Sequence, residues 1–381
     1  MKRKIKILHI QETIASGGVE RRRLSLAKLL DKSKFEQKVI CQQEVGNIGN
    51  EIRNEGVEVI CLHHSLKSIF DYKQHQAVQK IIEEYKPDII HGAVFEGVTM
   101  AVINGWYKRV PKIIIEETSD PQNRSWRGNL LIKIFSFLAD RVIGVSESVT
   151  EEYLKAKLGV SNGKVLLINN GVALPREVSE NEIVVAKQKW GIEEGDFVIG
   201  SIGRMKNDHH KRYSDMIKAF ALFANEKKNV KLLLIGGNSE FLKKYRDLVD
   251  ELKIKEKVIF TEYQSDVTLF YKMMDVFSLV SAYEAFGLVV AEAMLNKLPV
   301  VATKVGGMKY IVDDQKTGFL VIPFDITDIS SKYDRLYNDH LLKNRFGDSG
   351  YLKALNQYTE DIYVQKIADL YNNVLIDNNG K

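Results

Sequence analysis

Short apolar runs recur down the whole chain, each separated from the next by a segment of helix length, and this alternation limits the fold more than any other feature. IKILHI, QKVICQ, VEVICL, DIIHGA, KIIIEE and RVIGVS are mostly apolar at their centres rather than strictly alternating, the pattern of strands buried on both faces. Parallel strands need long crossovers, and the intervening amphipathic stretches supply them as helices. After KVLLINNGVALP a polar stretch, 176–195, reads as a linker and a lead-in helix. The pattern then restarts with FVIGSIGR, VKLLLIGG, KVIFTEY, DVFSLVS and LPVVATK. The last segment, DIYVQKIADLYNNVL, is an amphipathic helix with no strand after it. The expected architecture is α/β, with two Rossmann-like domains facing across a cleft. They cover residues 1–180 and 181–357, and a helix over 358–381 crosses back to the N-terminal domain. A chain of 381 residues has room for two such cores. Ligands of open parallel sheets bind beyond the carboxyl ends of the strands, so the cleft is where chemistry is expected.

Charge narrows the partners. The chain carries 55 basic and 50 acidic residues, a net +5 that is too balanced for a nucleic-acid binder but suits an anionic ligand or an acidic membrane surface. Residues 1–175 hold a net +6 and the remainder −1. Cys41 and Cys61 lie in strand-like runs and read as small buried apolar side chains in a reducing cytosol, rather than as a disulfide. The basic start MKRKIKILHI resembles a signal peptide, but its apolar run is short and no cleavage-like site follows, so it reads as a first strand. No window approaches the roughly eighteen apolar residues of a spanning helix. The nearest candidate, NLLIKIFSFLADRVIGV, is broken by Lys133, Asp140 and Arg141.

Several residues at expected strand ends could carry chemistry. Gly17 and Gly18 stand before a helix with Leu24, Ala27 and Leu30 on its apolar side, where backbone could approach a ligand. They do not form G-x-G-x-x-G, and no G-x-x-x-x-G-K-[ST] occurs, so the usual dinucleotide and P-loop fingerprints are missing. Arg21, Arg22 and Arg23 fan through about 200° of helix, so at least one is expected in solvent. FVIGSIG runs through Gly203 into Arg204 and, past MKNDHH, into Lys211 and Arg212. A guanidinium and an ammonium beside a strand end suit a diphosphate. His209 and His210 lack a ligand pattern for a metal and read as loop surface. In SAYEAFGLVVAEAM, a helix is expected to begin around Phe286 and Gly287, offering N–H groups to an anion near Leu288. Glu284 then lies in the loop, and Glu292 about two turns into the helix, placed to accept from vicinal hydroxyls of a ribose.

As a set, EAFGLVVAE, GR followed by a basic Lys, INNGV at 168–172, VSESV at 145–149, VGG-x9-TGFLV at 305–321 and the N-terminal GGVER resemble the retaining family 4 glycosyltransferases (glycosyl transferases group 1) of the GT-B fold. The resemblance covers nearly the whole chain, in the family's order. It implies transfer of a sugar from a nucleoside diphosphate sugar, a UDP-sugar by the family's habit, to a hydroxyl of a glycan or lipid-linked glycan, with retention and no obligatory metal or other cofactor. It further implies that Glu292 binds the donor ribose and Glu284 lies against the sugar. Arg204 and Lys211 would hold the diphosphate with the backbone of Phe286–Leu288, and Gly17, Gly18 and Gly203 would admit the donor. Tyr263 is a candidate base contact, and Lys206 a rival to Lys211.

The acceptor is expected near Gly17, Gly18, His91, Glu117 and Asp120. Two departures bear on the donor sugar. Val305-Gly-Gly-Met-Lys-Tyr310 has no carboxylate where many members carry Glu. Ile115-Glu-Glu-Thr-Ser-Asp120 has no histidine, so Glu117 or Asp120 would stand in for it. Trp126, Arg127, Lys133, Phe135 and Phe137 read first as a core helix with a solvated flank and, as the alternative, as a contact with an anionic inner membrane from its cytoplasmic face; the setting the resemblance implies is bacterial surface polysaccharide synthesis. The rival readings are a nucleotide-sugar epimerase of the same architecture, a non-catalytic nucleotide-sugar binding module, and a nicotinamide dehydrogenase.

Overall fold

The computed structural model describes residues 3–15, 17–66, 68–119, 124–205, 208–237 and 240–376. They divide into two compact units: the chain up to Gly171 together with the segment from Thr359 onward, and Val172–Tyr358 between them.

In the first unit seven parallel strands form one sheet. They are β1 (Ile5–Ile14), β2 (Phe35–Glu44), β3 (Glu58–Cys61), β4 (Ile89–Ala93), β5 (Lys112–Glu117), β6 (Arg141–Gly144) and β7 (Val165–Leu167), in the order β3-β2-β1-β4-β5-β6-β7. Their centres are fully buried, as Ile7, Ile89, Ile114 and Ile143 show, because helices cover both faces. The helix Glu360–Ile376 completes this core. Its Tyr363, Ile367, Leu370, Tyr371 and Val374 recur at three- and four-residue intervals and pack against Ile7, Leu26 and Ile89.

The second unit repeats the plan with β8 (Phe197–Ile202), β9 (Val230–Ile235), β10 (Val258–Phe260), β11 (Val276–Leu279), β12 (Val300–Thr303) and β13 (Gly318–Val321). Their order is β10-β9-β8-β11-β12-β13. In each sheet the order reverses between the first strand and the fourth, at β1/β4 and at β8/β11. That reversal opens a crevice at the carboxyl ends where loops diverge to opposite faces. Among the described residues no helix is long and apolar enough to cross a membrane.

The change of unit falls at Gly171/Val172 rather than near residue 180, and Tyr358 stays with the second unit. The lead-in helix expected within 176–195 is the helix Glu180–Lys189. Ser179 caps the helix Glu180–Lys189 in a reciprocal box: its hydroxyl accepts from the Glu182 N–H, and its own N–H donates to the Glu182 carboxylate at 2.9 Å.

Candidate active site

The switch point of the second sheet gathers the residues that follow β8 and β11. Past β8, Gly203 and Arg204 open the loop that leads to the short helix Asp208–Lys211. Arg204 is exposed and has no hydrogen-bond or ion-pair partner among the described residues. Arg212 takes a left-handed conformation (φ 53°) and caps the next helix, Tyr213–Phe223. Its guanidinium grips Asp215 at 2.7 and 2.9 Å, so Arg212 serves that helix. Lys211 is thereby turned the other way, and its Nζ donates to Glu284 Oε2 at 2.6 Å.

The loop after β11 is zipped to this short helix. The Ala282 N–H donates to the His210 carbonyl at 2.7 Å, and the His210 ring stacks on Tyr283 with centroids 4.4 Å apart and planes 7° off parallel. His210 Nε2 stands 3.6 Å from Glu284. His210 is therefore part of the site wall and not loop surface as expected, while His209 remains exposed. Burial by itself would raise the Glu284 pKa, but the Lys211 charge and hydrogen bonds from His210 and Lys211 outweigh it and hold the carboxyl at about 2. Glu284 is an anion with an ammonium locked to it.

Two glycines shape the rest of the loop. Gly287 (φ 105°, ψ 57°) precedes the helix Leu288–Leu295 and lies in the left-handed region, where an L side chain costs about 1–2 kcal/mol. No side chain caps that helix, so its first N–H groups are left for a ligand. Gly307 donates its N–H to the Glu284 carbonyl at 2.9 Å, and a Cβ there would come within 2.5 Å of the Ala285 carbonyl. The V-G-G stretch thus buttresses the Glu284 loop.

Phe286 is buried edge-on against Tyr358, centroids 5.6 Å apart, leaving only its backbone for a ligand. Because the helix begins at Leu288, Glu292 sits just over one turn in, not two. It is half-buried and accepts from the Tyr271 hydroxyl at 2.7 Å. Tyr263 lies beyond β10 and is 61% exposed.

In the first unit Gly17 caps the helix Gly18–Leu29, and a Cβ at Gly17 would meet the Glu20 carboxylate at 2.4 Å. Arg21 faces solvent, but Arg22 and Arg23 are both 1% exposed. Arg22 reaches Glu116 at 2.8 Å and Arg23 reaches it at 3.3 Å. His91 Nε2 meets the same carboxylate at 2.9 Å, and its Nδ1 pairs with the Tyr371 hydroxyl at 2.6 Å. Burial takes the His91 imidazole down to about 4, against the pull of Glu116, so it is neutral. Glu116 is held well below the usual carboxylate range, since the two arginines overcome its desolvation.

The expectation that His91 touches an acceptor is corrected. It is fully buried within a polar cluster that ties β4 and β5 to the helices Gly18–Leu29 and Glu360–Ile376. Glu117 is 5% exposed and already committed to Arg124, whose Nη2 lies 3.0 Å away, and to the Ser119 hydroxyl at 2.8 Å. Asp120 and Lys206 lie outside the described residues. Sequence reading missed the Arg22–Arg23–Glu116 cluster, for which no local signal exists, and His210, whose position between a strand end and Lys211 was the available clue.

The chain matches two family models, one described as Glycosyltransferase Family 4 over residues 16–176 and one as Glycosyl transferases group 1 over residues 184–353. It is 29% identical over 66% of its length to the capsular polysaccharide biosynthesis glycosyltransferase CapM of Staphylococcus aureus, spanning 66% of that protein, about two thirds. A UDP-Gal:alpha-D-GlcNAc-diphosphoundecaprenol alpha-1,3-galactosyltransferase of Escherichia coli is 24% identical, with 98% of each chain covered. Among solved structures, Anabaena HepE in complex with UDP and glucose superposes with a TM-score of 0.85 at 20% identity, covering 97% of this chain and 99% of that one. With both halves matched in order, on two Rossmann-like sheets of this topology, the chain belongs to the family 4 (group 1) glycosyltransferases, transferase enzymes of the GT-B fold.

Proposed function

We propose that the protein transfers a glycosyl unit from a UDP-sugar to a hydroxyl of a glycan or lipid-linked glycan, with retention of anomeric configuration and no obligatory metal, in bacterial surface polysaccharide synthesis. The observation that carries this reading is the cluster at the β8/β11 switch point: the exposed Arg204, the Lys211–Glu284 pair and the uncapped helix start at Leu288. Negative charge on a departing diphosphate needs preorganised donors, and this cluster offers a guanidinium, an ammonium and backbone N–H groups. Glu292 accepts from a hydroxyl in the free protein, Tyr271, which is the role a ribose diol would take over. The UDP-bound neighbour and the lipid-linked substrate in the name of the E. coli relative support the donor base and the acceptor class.

A peripheral contact with the anionic cytoplasmic face of the inner membrane fits the helix Trp126–Leu138. Trp126 (70% exposed), Leu130, Ile134 and Phe137 (79% exposed) point outward beside Arg127 and Lys133, whereas Phe135 is in the core and leaves the earlier set.

Thermal unfolding against a panel of nucleotides and nucleotide sugars, in EDTA and then with Mg²⁺, tests the donor. UDP or a UDP-sugar is expected to raise the midpoint in EDTA, and Glu292→Ala to lose that response. No shift with any nucleotide, or a shift with NAD only, would overturn the proposal.

A further inference from the structure

Three metal-ligating side chains meet at the carboxyl edge of the first sheet, and a fourth, His63, adjoins one of them. Cys41 and Cys61 are register partners on the adjacent parallel strands β2 and β3, and both thiols are free. The two sulfurs and a carboxylate oxygen of Glu44 all lie within 4.8 Å of one another; among the described residues no other three such groups come together in this way. His63 follows two residues after Cys61, in a left-handed conformation (φ 56°), with its Nδ1 3.6 Å from the Cys61 sulfur. Two ligands at Zn–S of about 2.3 Å and Zn–N of about 2.0–2.1 Å, separated by a tetrahedral angle, stand about 3.6 Å apart. The Cys61–His63 spacing is that of two neighbours on one tetrahedral ion.

We infer that Cys41, Glu44, Cys61 and His63 bind one borderline-soft divalent cation, of which Zn²⁺ is the type. Two sulfurs, one imidazole and one carboxylate oxygen select against Mg²⁺ and Ca²⁺, which require oxygen shells. Glu44 already has an outer partner, since Arg53 grips its two oxygens at 2.6 and 2.7 Å and also donates to the Val59 carbonyl. A guanidinium in that position orients a ligating carboxylate while leaving it a lone pair for the ion. Charge closes as well: two thiolates and Glu44 against a divalent ion and Arg53 sum to zero. Cys41 is buried and forms the wall, whereas Cys61 is half-buried and His63 exposed, so the ion has a way in.

Binding exchanges metal for the thiol protons, so affinity rises with pH. The consequence for the fold is a clip on β3, a four-residue edge strand that among the described residues pairs with β2 alone. The site is distinct from the donor cluster and is tested without any nucleotide.

The full-length chain, reduced and stripped with a chelator, is titrated with Co²⁺ and then Zn²⁺. One Co²⁺ per chain is expected, with thiolate-to-cobalt charge transfer and the intense visible bands of a tetrahedral ion. Zn²⁺ should displace it and raise the melting midpoint. Cys61→Ser should diminish the charge-transfer band, one thiolate of two being lost, and weaken binding by more than ~100-fold, beyond the ~10–100-fold loss that removing an outer partner brings. His63→Ala, an exposed position, should weaken binding while the metal-free midpoint stays put. Absence of a thiolate–cobalt band, binding equally strong in both variants, or a reduced protein that forms the Cys41–Cys61 disulfide in preference to taking up metal would each overturn the inference.

Discussion

Replacing Glu284 by Gln removes one charge and leaves the Lys211 ammonium, 16% exposed, without its partner. The native carboxyl sits at about 2 against an ordinary 4.5, a difference worth about 3 kcal/mol of folding free energy. The sign follows from the direction of the shift. A carboxyl depressed in the native state adds stability that is complete above 4.5 and disappears as pH falls toward about 2. Glu284→Gln should therefore cost ~2–3 kcal/mol near neutral pH and only ~1 kcal/mol at about pH 3.

Urea unfolding of the second unit reports this directly. Trp190 packs on Phe270 in that unit, and the other two tryptophans, Trp106 and Trp126, are exposed and replaceable by Phe. A penalty that is the same at both pH values, or that stays below ~1 kcal/mol at neutrality, would refute the account of an ion pair held by Lys211.

Three further outcomes are expected. Arg204→Ala should lower kcat by about 10²–10³-fold, as loss of a transition-state donor does, with the melting midpoint unchanged because the side chain is exposed; steady-state kinetics check it. Glu116→Gln should destabilise the first unit by about 3–5 kcal/mol, since it strands two guanidinium groups that are each 1% exposed, and thermal denaturation reads the loss. Ser179→Ala should cost about 1 kcal/mol by removing one half of the capping box, measurable as a small fall in the urea midpoint of the second unit.

The grouping at the second sheet's switch point was legible in sequence because its parts follow strand ends. A parallel sheet delivers whatever comes after β8 and β11 to one edge, so Arg204, Lys211 and Glu284 had to be neighbours once the strands were recognised. The loop geometry that makes Lys211 rather than Arg212 the partner of Glu284 was not legible. It depends on the left-handed turn at Arg212 and on Asp215, one helical turn further along. The surroundings of His91 were not legible for the opposite reason: it lies inside β4, where a sequence shows a polar residue but not which groups surround it.

What the sequence determined by itself was the alternation of apolar strands and amphipathic helices, hence two parallel-sheet units, because burial on both faces demands unbroken apolar runs. Only the tertiary structure decided which charges are spent inside. Arg22, Arg23, Glu116 and His91 come from three separate elements and meet where solvent is excluded, and there each charge must find a partner that no local pattern announces.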